Sequence, residues 1–352
     1  MARRLTFIIG LMSVLFSNAG APRAGSWAQG SVSNTAGTRN YKLWIPEKYD
    51  NRTPLPLVLM LHGCTQTPED FAAGTRMNEI ADANNFLVAY PEQPASANPY
   101  KCWNWFDPAH QPRDAGEPLL LAAIVSDVRA THKVDELRVY AVGMSAGGAM
   151  ASIMAAAYPE LFAAIAVCSG LEYKAATGVA EALAAQKSGG RDPNQQGTQA
   201  YQSILAAHKK ESQNAPTSRT RHRVIRVIVF QGALDAAVNP VNADQVIGQW
   251  AQTNDLLDDA RDNNSVDDIA DSTNVGTVPN GGHNFTRYVY NDATGKPLLE
   301  KWIVQDMRHA WSGGSSAGSY TDPKGPNASA EIWRFFRQTP RTPPILNAGR
   351  KR

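Results

Sequence analysis

Ser145 carries the clearest chemical signal in this chain. It stands in Val139-Tyr140-Ala141-Val142-Gly143-Met144-Ser145-Ala146-Gly147-Gly148, where an apolar run ends in G-x-S-x-G and passes into a helix-forming stretch, Ala149 to Tyr158. A strand delivering a serine into a tight turn, with a helix directly after, is the layout of a nucleophile elbow. Gly143 and Gly147 suit positions where a side chain would collide with the turn or the neighbouring strand. The helix points its first amides at the place where negative charge would form.

A serine hydroxyl attacks only when a base takes its proton and an acid orients that base. Val227 to Phe230 reads as a buried strand running into Gln231-Gly232-Ala233-Leu234-Asp235, which sets Asp235 past the carboxyl end of a strand. The alternative role for Asp235 is a turn before Asn239-Pro240. Of the seven histidines, only His283 and His309 follow Asp235, as the order serine, acid, histidine requires. His309 directly follows the last strand and precedes Gly313-Gly314, so a loop there can swing an imidazole over Ser145; His283 reads as a solvated loop residue. His62, His110, His132, His208 and His222 are out of order and read as loop, helix or surface residues. Two backbone amides should hold the oxyanion: Ala146, after the nucleophile, and Cys64, in Leu61-His62-Gly63-Cys64-Thr65-Gln66. Trp103, Trp105 and Trp311 adjoin these segments. They are candidate substrate-binding aromatics, with burial beneath the loops as the alternative. No cysteine or histidine spacing matches a metal motif, and the mechanism needs no metal or cofactor.

The elements that must position these groups alternate. Asn40 to Ile45, Leu55 to Leu61, Phe86 to Tyr90, Ala163 to Cys168 and Arg223 to Phe230 read as strands, and Leu55 to Leu61 is nearly all apolar, as a doubly buried strand should be. Phe71 to Ala83, Glu117 to His132, Ala243 to Leu257 and Ala328 to Arg337 read as helices. A polar stretch, 186–221, looks like a surface insertion or lid, and Asp258 to Gly282 like a polar loop. Phe285 to Tyr290 and Pro297 to Asp306 flank a turn at Asn291-Asp292-Ala293-Thr294-Gly295, a hairpin signal. Strands alternating with crossover helices predict an α/β, doubly wound, mostly parallel sheet, the α/β-hydrolase arrangement.

The chain's 352 residues, 43% apolar, suffice for one large domain, and a net charge of +2 gives no reason to expect a nucleic-acid partner. No apolar run is long enough for a stable membrane span. Arg3 and Arg4, the apolar run Leu5 to Phe16 and the small residues around Ser17-Asn18-Ala19 form a secretory signal, with cleavage expected after Ala19 or, as second choice, after Ala28. The expected organisation is a leader over 1–28, a catalytic domain over 29–339 and a loose basic tail over 340–352.

The blocks Leu61 to Gln66, Tyr90-Pro91-Glu92-Gln93, Cys102-Trp103-Asn104-Trp105-Phe106, Gly143 to Gly148 and His309-Ala310-Trp311-Ser312-Gly313-Gly314 resemble the polyhydroxybutyrate depolymerase family of esterases, close to feruloyl and acetylxylan esterases. The resemblance runs from Gly25 to Phe336. It implies a secreted serine esterase with Ser145, Asp235 and His309 as triad and Cys64 in the oxyanion loop, acting on hydroxyalkanoate polyester, its oligomers or short-chain esters. Feruloyl or acetyl esters of plant polysaccharide are the alternative, and a catalytically idle surface-binding protein is the reading from another class. The approach Asp306-Met307-Arg308 departs from a more Gly-rich pattern, and no Thr- or Ser-rich linker follows Phe336, which shifts the expectation toward soluble or amorphous ester. Three cysteines in an exported chain leave one unpaired. Cys64 and Cys102, both in loops at the active edge, are the expected pair, closing about 38 residues for roughly 4 kcal/mol. Cys168 is then a buried thiol, and three reduced cysteines are the alternative.

Overall fold

The computed structural model describes residues 25–214, 224–292 and 294–338. The leader before Gly25, His222 and the tail from Thr339 onward lie outside the described residues.

Ten strands among these residues form one sheet. Its centre is six parallel strands in the spatial order β4 (Leu87–Pro91), β3 (Leu55–Leu61), β5 (Val134–Met144), β6 (Ala164–Cys168), β7 (Arg226–Gly232) and β10 (Pro297–Val304). Antiparallel strands finish both ends. β1 (Ser26–Asn34) and β2 (Gly37–Ile45) lie beyond β4, and β9 (Asn284–Asn291) and β8 (Ser272–Thr277) lie beyond β10.

Every residue of β3 is buried, because helices cover both faces of the sheet. Leu57, Leu59 and Leu61 join a core built with α3 (Gly116–Thr131), α4 (Ala146–Ala157) and α7 (Val241–Asp259). Val58 and Met60 point the other way, into a core with α1 (Pro68–Thr75), α2 (Met77–Asn84) and α8 (Ala328–Arg337). The period-two alternation of a strand thus feeds two separate cores. The sheet is the mostly parallel, doubly wound one expected.

Four segments differ from the sequence reading. The single helix expected over Phe71 to Ala83 is two, α1 and α2, because Arg76 takes a left-handed conformation (φ 55°) and its N–H closes α1 on the Ala72 carbonyl at 3.0 Å. The polar stretch from 186 is mainly helical: after α5 (Val179–Ser188) comes α6 (Pro193–Asn214), which buries Ala200, Ile204 and Ala207 in the molecule and packs along α7 and α4. Its remaining part, 215–221, lies outside the described residues. The polar loop expected over Asp258 to Gly282 contains β8, an almost fully exposed edge strand with no hydrophobic alternation to betray it. β1 begins at Ser26 and pairs with β2 from Ser26 to Asn34, so the boundary expected at 28/29 falls inside a strand.

Candidate active site

Because β5, β6, β7 and β10 are neighbours and parallel, the residues following them gather at one edge of the sheet. Ser145 follows β5, Asp235 follows β7 and His309 follows β10. This is the carboxyl edge, where open α/β sheets collect their reactive groups.

Ser145 occupies the turn between β5 and α4 with φ 55° and ψ −121°, a conformation that costs energy for a residue bearing a Cβ. The flanking glycines make the turn possible. A Cβ on Gly143 would sit 2.0 Å from the Gly147 carbonyl oxygen, and one on Gly147 would sit 2.0 Å from that of Leu61. The Ser145 N–H donates to the Cys168 carbonyl of β6 at 2.9 Å, which pins the turn to the adjacent strand.

Asp235 is buried, and each carboxylate oxygen is held. Oδ1 accepts the amides of Ala237 (2.9 Å) and Val238 (2.8 Å); Oδ2 accepts Gln231 Nε2 (3.0 Å) and His309 Nδ1 (2.8 Å). Burial alone would raise its pKa, but the hydrogen bond and charge of His309 together with the two amides outweigh it, so the group lies below its ordinary value and is ionised. With Nδ1 committed to this carboxylate, Nε2 is the His309 ring nitrogen left to act as a base. The loop of His309 is anchored too: the Ala233 N–H donates to Val304 and the Leu234 N–H to Met307, both at 2.9 Å.

The other candidate, His283, is partly buried and pairs through Nε2 with Asp322 Oδ2 at 2.9 Å rather than with Asp235. It is a partnered side chain, not the solvated one expected.

Cys64 and Cys102 are bonded to each other, with Cα atoms 4.2 Å apart, and Cys168 is a buried free thiol whose pKa burial drives upward. The bridge fastens the Cys64 loop to the segment carrying Trp103 and Trp105. Behind it lies a polar network centred on His62, which the sequence reading treats as an ordinary loop residue. His62 Nε2 accepts the Gln93 N–H at 3.1 Å, which leaves Nδ1 to donate to the Gly63 carbonyl at 2.7 Å. Burial is the main reason its pKa falls to about 4, so the ring is neutral. Gln93 Nε2 donates to Cys102 O (2.9 Å) and to the buried Glu117 (2.5 Å), whose other oxygen accepts the Asn104 N–H (2.8 Å). On the open side Gln66 Oε1 accepts the Gly63 N–H at 2.9 Å, while its Nε2 donates to Asp70 (2.9 Å) and to the Ser319 carbonyl (3.2 Å). Gln66 therefore ties the Cys64 loop to the loop that follows His309. Both glutamines stand inside the sequence blocks noted above, which was the available signal; their amide geometry was not.

The three tryptophans are a correction. Trp103, Trp105 and Trp311 are each at most 2% exposed. Trp103 donates its indole N–H to the His62 carbonyl (3.0 Å) and Trp311 donates to Ser329 Oγ (3.2 Å). Indole groups whose polar edge finds a partner inside the protein are packing elements under the loops, not exposed faces for substrate. The exposed aromatics at this edge are Tyr100 and Tyr320.

Among the described residues, no cluster of three or more His, Cys, Asp or Glu side chains is arranged to hold a metal, and no helix is long and apolar enough to cross a membrane.

The sheet order, the serine at a strained strand-to-helix turn and the Asp–His pair beyond later strands define an α/β-hydrolase. A solved acetyl xylan esterase from Aspergillus awamori has the same fold, with a TM-score of 0.66 at 19% identity, covering 89% of this chain and 99% of that one. The chain belongs to the family described as Esterase PHB depolymerase, whose model matches residues 39–269. It is 32% identical over 254 residues to poly(3-hydroxyalkanoate) depolymerase C of Paucimonas lemoignei, covering 72% of this chain and 54% of that protein, so it spans about half the length of that relative. Feruloyl esterase B of Neurospora crassa is 31% identical over 263 residues, covering 74% of this chain and 80% of the relative.

Proposed function

We propose that this protein is an exported serine esterase that cleaves carboxylic esters through an acyl-enzyme. The observation that carries the reading is the hydrogen bond from His309 Nδ1 to the buried, ionised Asp235, on the sheet edge where Ser145 sits in a strained turn. In this reading His309 Nε2 takes the Ser145 proton as Oγ attacks the ester carbonyl. Asp235 fixes the tautomer and steadies the imidazolium. The oxyanion rests on the amides of Ala146 and Cys64. Collapse of the tetrahedral intermediate breaks the bond to the alkoxy oxygen, which leaves with the proton from His309, and water then hydrolyses the acyl-serine by the same steps in reverse.

For the substrate, the sequence reading and the depolymerase relative favour hydroxyalkanoate polyester, its oligomers or short-chain esters. Esters of polysaccharide hydroxyls are the second reading. It draws support from the feruloyl esterase relatives and from the mixed charged and aromatic lining of the cleft beside His309. Export rests on the basic and apolar N-terminal segment. The test is turnover of p-nitrophenyl butyrate, abolished by a serine-directed phosphonate, followed by amorphous polyhydroxybutyrate, methyl ferulate and acetylated xylan in parallel. Turnover that survives the phosphonate would sink the serine mechanism.

A further inference from the structure

Glu117 is a buried carboxyl that the ester chemistry leaves unused. It lies in the first turn of α3, fully buried, and draws N–H donors onto both oxygens. Oε1 accepts Gln93 Nε2 (2.5 Å) and Asn104 Nδ2 (2.7 Å), and Oε2 accepts the Asn104 amide (2.8 Å). Its own N–H donates to His110 Nδ1 at 3.1 Å. Burial raises its pKa, and the charges of His110 and Arg39, with the Asn104 and Gln93 hydrogen bonds, act against that rise. A carboxyl is costly in such a place, and an apolar side chain of the same volume would hold a core at least as well. What the carboxylate adds is direction. Charge-assisted hydrogen bonds are short and strong, and two oxygens fix where their donors stand.

Those donors belong to the segment that carries the disulfide. Gln93 and Asn104 lie on either side of Cys102 in the chain, and Gln93 Nε2 is shared between Glu117 and the Cys102 carbonyl (2.9 Å). The same segment grips the Cys64 loop. Besides the Cys64–Cys102 bridge, the Thr65 N–H donates to the Tyr100 carbonyl (2.6 Å) and the Trp103 indole N–H to the His62 carbonyl (3.0 Å). The Gln93 N–H adds a further link, to His62 Nε2 at 3.1 Å. The Cys64 loop thus hangs from a frame whose inner anchor is Glu117. An amide that serves an oxyanion must hold its aim to within about 0.5 Å. A displacement at the anchor passes along these links to that amide.

We infer that Glu117 is a positioning residue for the oxyanion hole, which through Gln93, Asn104 and the Cys102 bridge sets where the Cys64 amide points. This rests on the serine-esterase reading and on Cys64 as an oxyanion donor. The test is Glu117→Gln, which keeps the shape but replaces an acceptor oxygen by an NH2 group facing a donor. Competent sites are counted by phosphonate titration, so that misfolded protein does not enter kcat. For p-nitrophenyl butyrate, kcat per site falls on the order of tenfold, part of the 10²–10³ that a whole oxyanion donor is worth, with KM within about twofold. The Ki of a trifluoromethyl ketone, which forms a tetrahedral oxyanion on Ser145, rises by a similar factor. Gln93→Leu, which cuts the shared link, gives the same pattern. Tyr41→Phe is the control. It removes the hydrogen bond from Tyr41 to Asp127, further along α3, so the melting temperature falls while kcat and Ki hold. Should Glu117→Gln not fold, Glu117→Asp, which draws the same oxygens back by one methylene, is read in the same way. A kcat per site within about twofold of wild type in the Glu117 variant overturns the role. So does a lower kcat without weaker ketone binding, or an equal fall in Tyr41→Phe. Wild-type hydrolysis with an unaltered variant sinks the positioning role alone; a wild type that neither hydrolyses esters nor takes up the phosphonate sinks the esterase reading and this role with it.

Discussion

A serine hydroxyl is a poor nucleophile until its proton has somewhere to go, and in this site that place is fixed by the partners of two other side chains. Asp235 is saturated by four donors, one of them His309 Nδ1, so the imidazole tautomer is set before substrate arrives. Ser145→Ala is expected to remove essentially all ester hydrolysis and His309→Ala nearly as much, since triad members act as a unit. Asp235→Asn should cost on the order of 10³–10⁴-fold in kcat by favouring the wrong tautomer. Steady-state kinetics on p-nitrophenyl butyrate check all three; a His309→Ala enzyme at wild-type rate with an inactive His283→Ala would move the base to His283. The triad candidates were legible in the sequence because their order and their places after strands follow from topology. The substrate aromatics were not. An indole beside an active-site motif reads the same whether it faces solvent or the underside of a loop, and only the acceptors at His62 O and Ser329 Oγ decide it. Tyr320, which faces outward, sits in a loop with no periodic pattern.

At the scale of elements, the Cys64 loop, proposed to supply one oxyanion amide, is braced from two directions, by the disulfide to Cys102 and by the Gln66 strut. Gln66→Leu leaves the buried Gly63 N–H without its acceptor. It should lower kcat roughly tenfold with a small change in KM, because an amide aimed at the oxyanion acts mainly in the transition state. Cys102→Ser should lower the melting temperature, in line with a loop-closure contribution of roughly 4 kcal/mol, and lower kcat as well. Retention of full kcat by both variants would show that the loop holds itself. The strands of the central sheet could be read from their apolar runs and α8 from its amphipathic pattern. The break at Arg76 could not, because the left-handed position is itself an arginine and the nearby glycine, Gly74, lies inside α1 rather than at its end. Instead α1 must approach the loop after His309 closely: a Cβ on Gly74 would already press on Thr321 at 2.9 Å. Pairing of β1 from Ser26 onward bears on export as well. Cleavage after Ala28 would remove the first three residues of that ladder, so the mature N-terminus is expected at Gly20. N-terminal sequencing of secreted protein beginning at Gln29 would contradict this.

Across the whole molecule, buried ionisable groups give stability a pH dependence unrelated to the triad. Glu172, in the loop after β6, is buried with neither carboxyl oxygen hydrogen-bonded by a side-chain or backbone partner of good geometry. Burial, reinforced by Asp192, raises its pKa to about 9. The folded state thus holds a proton that the unfolded chain releases above its ordinary carboxyl value, and stability falls as pH rises from there to about 9. Glu172→Gln, which keeps the shape and cannot ionise, should raise the melting temperature by a few degrees at pH 8 and leave it unchanged near pH 4. Equal melting shifts at both pH values would show that the proton is not the cause. The whole account rests on one covalent event, and that event can be trapped. Rapid acid quench of the enzyme mixed with p-nitrophenyl acetate, followed by peptide mapping, should find a burst of nitrophenol and an acetyl group on the peptide containing Ser145, with both absent in Ser145→Ala. An acetyl group on another residue, or a burst that persists in Ser145→Ala, would contradict it.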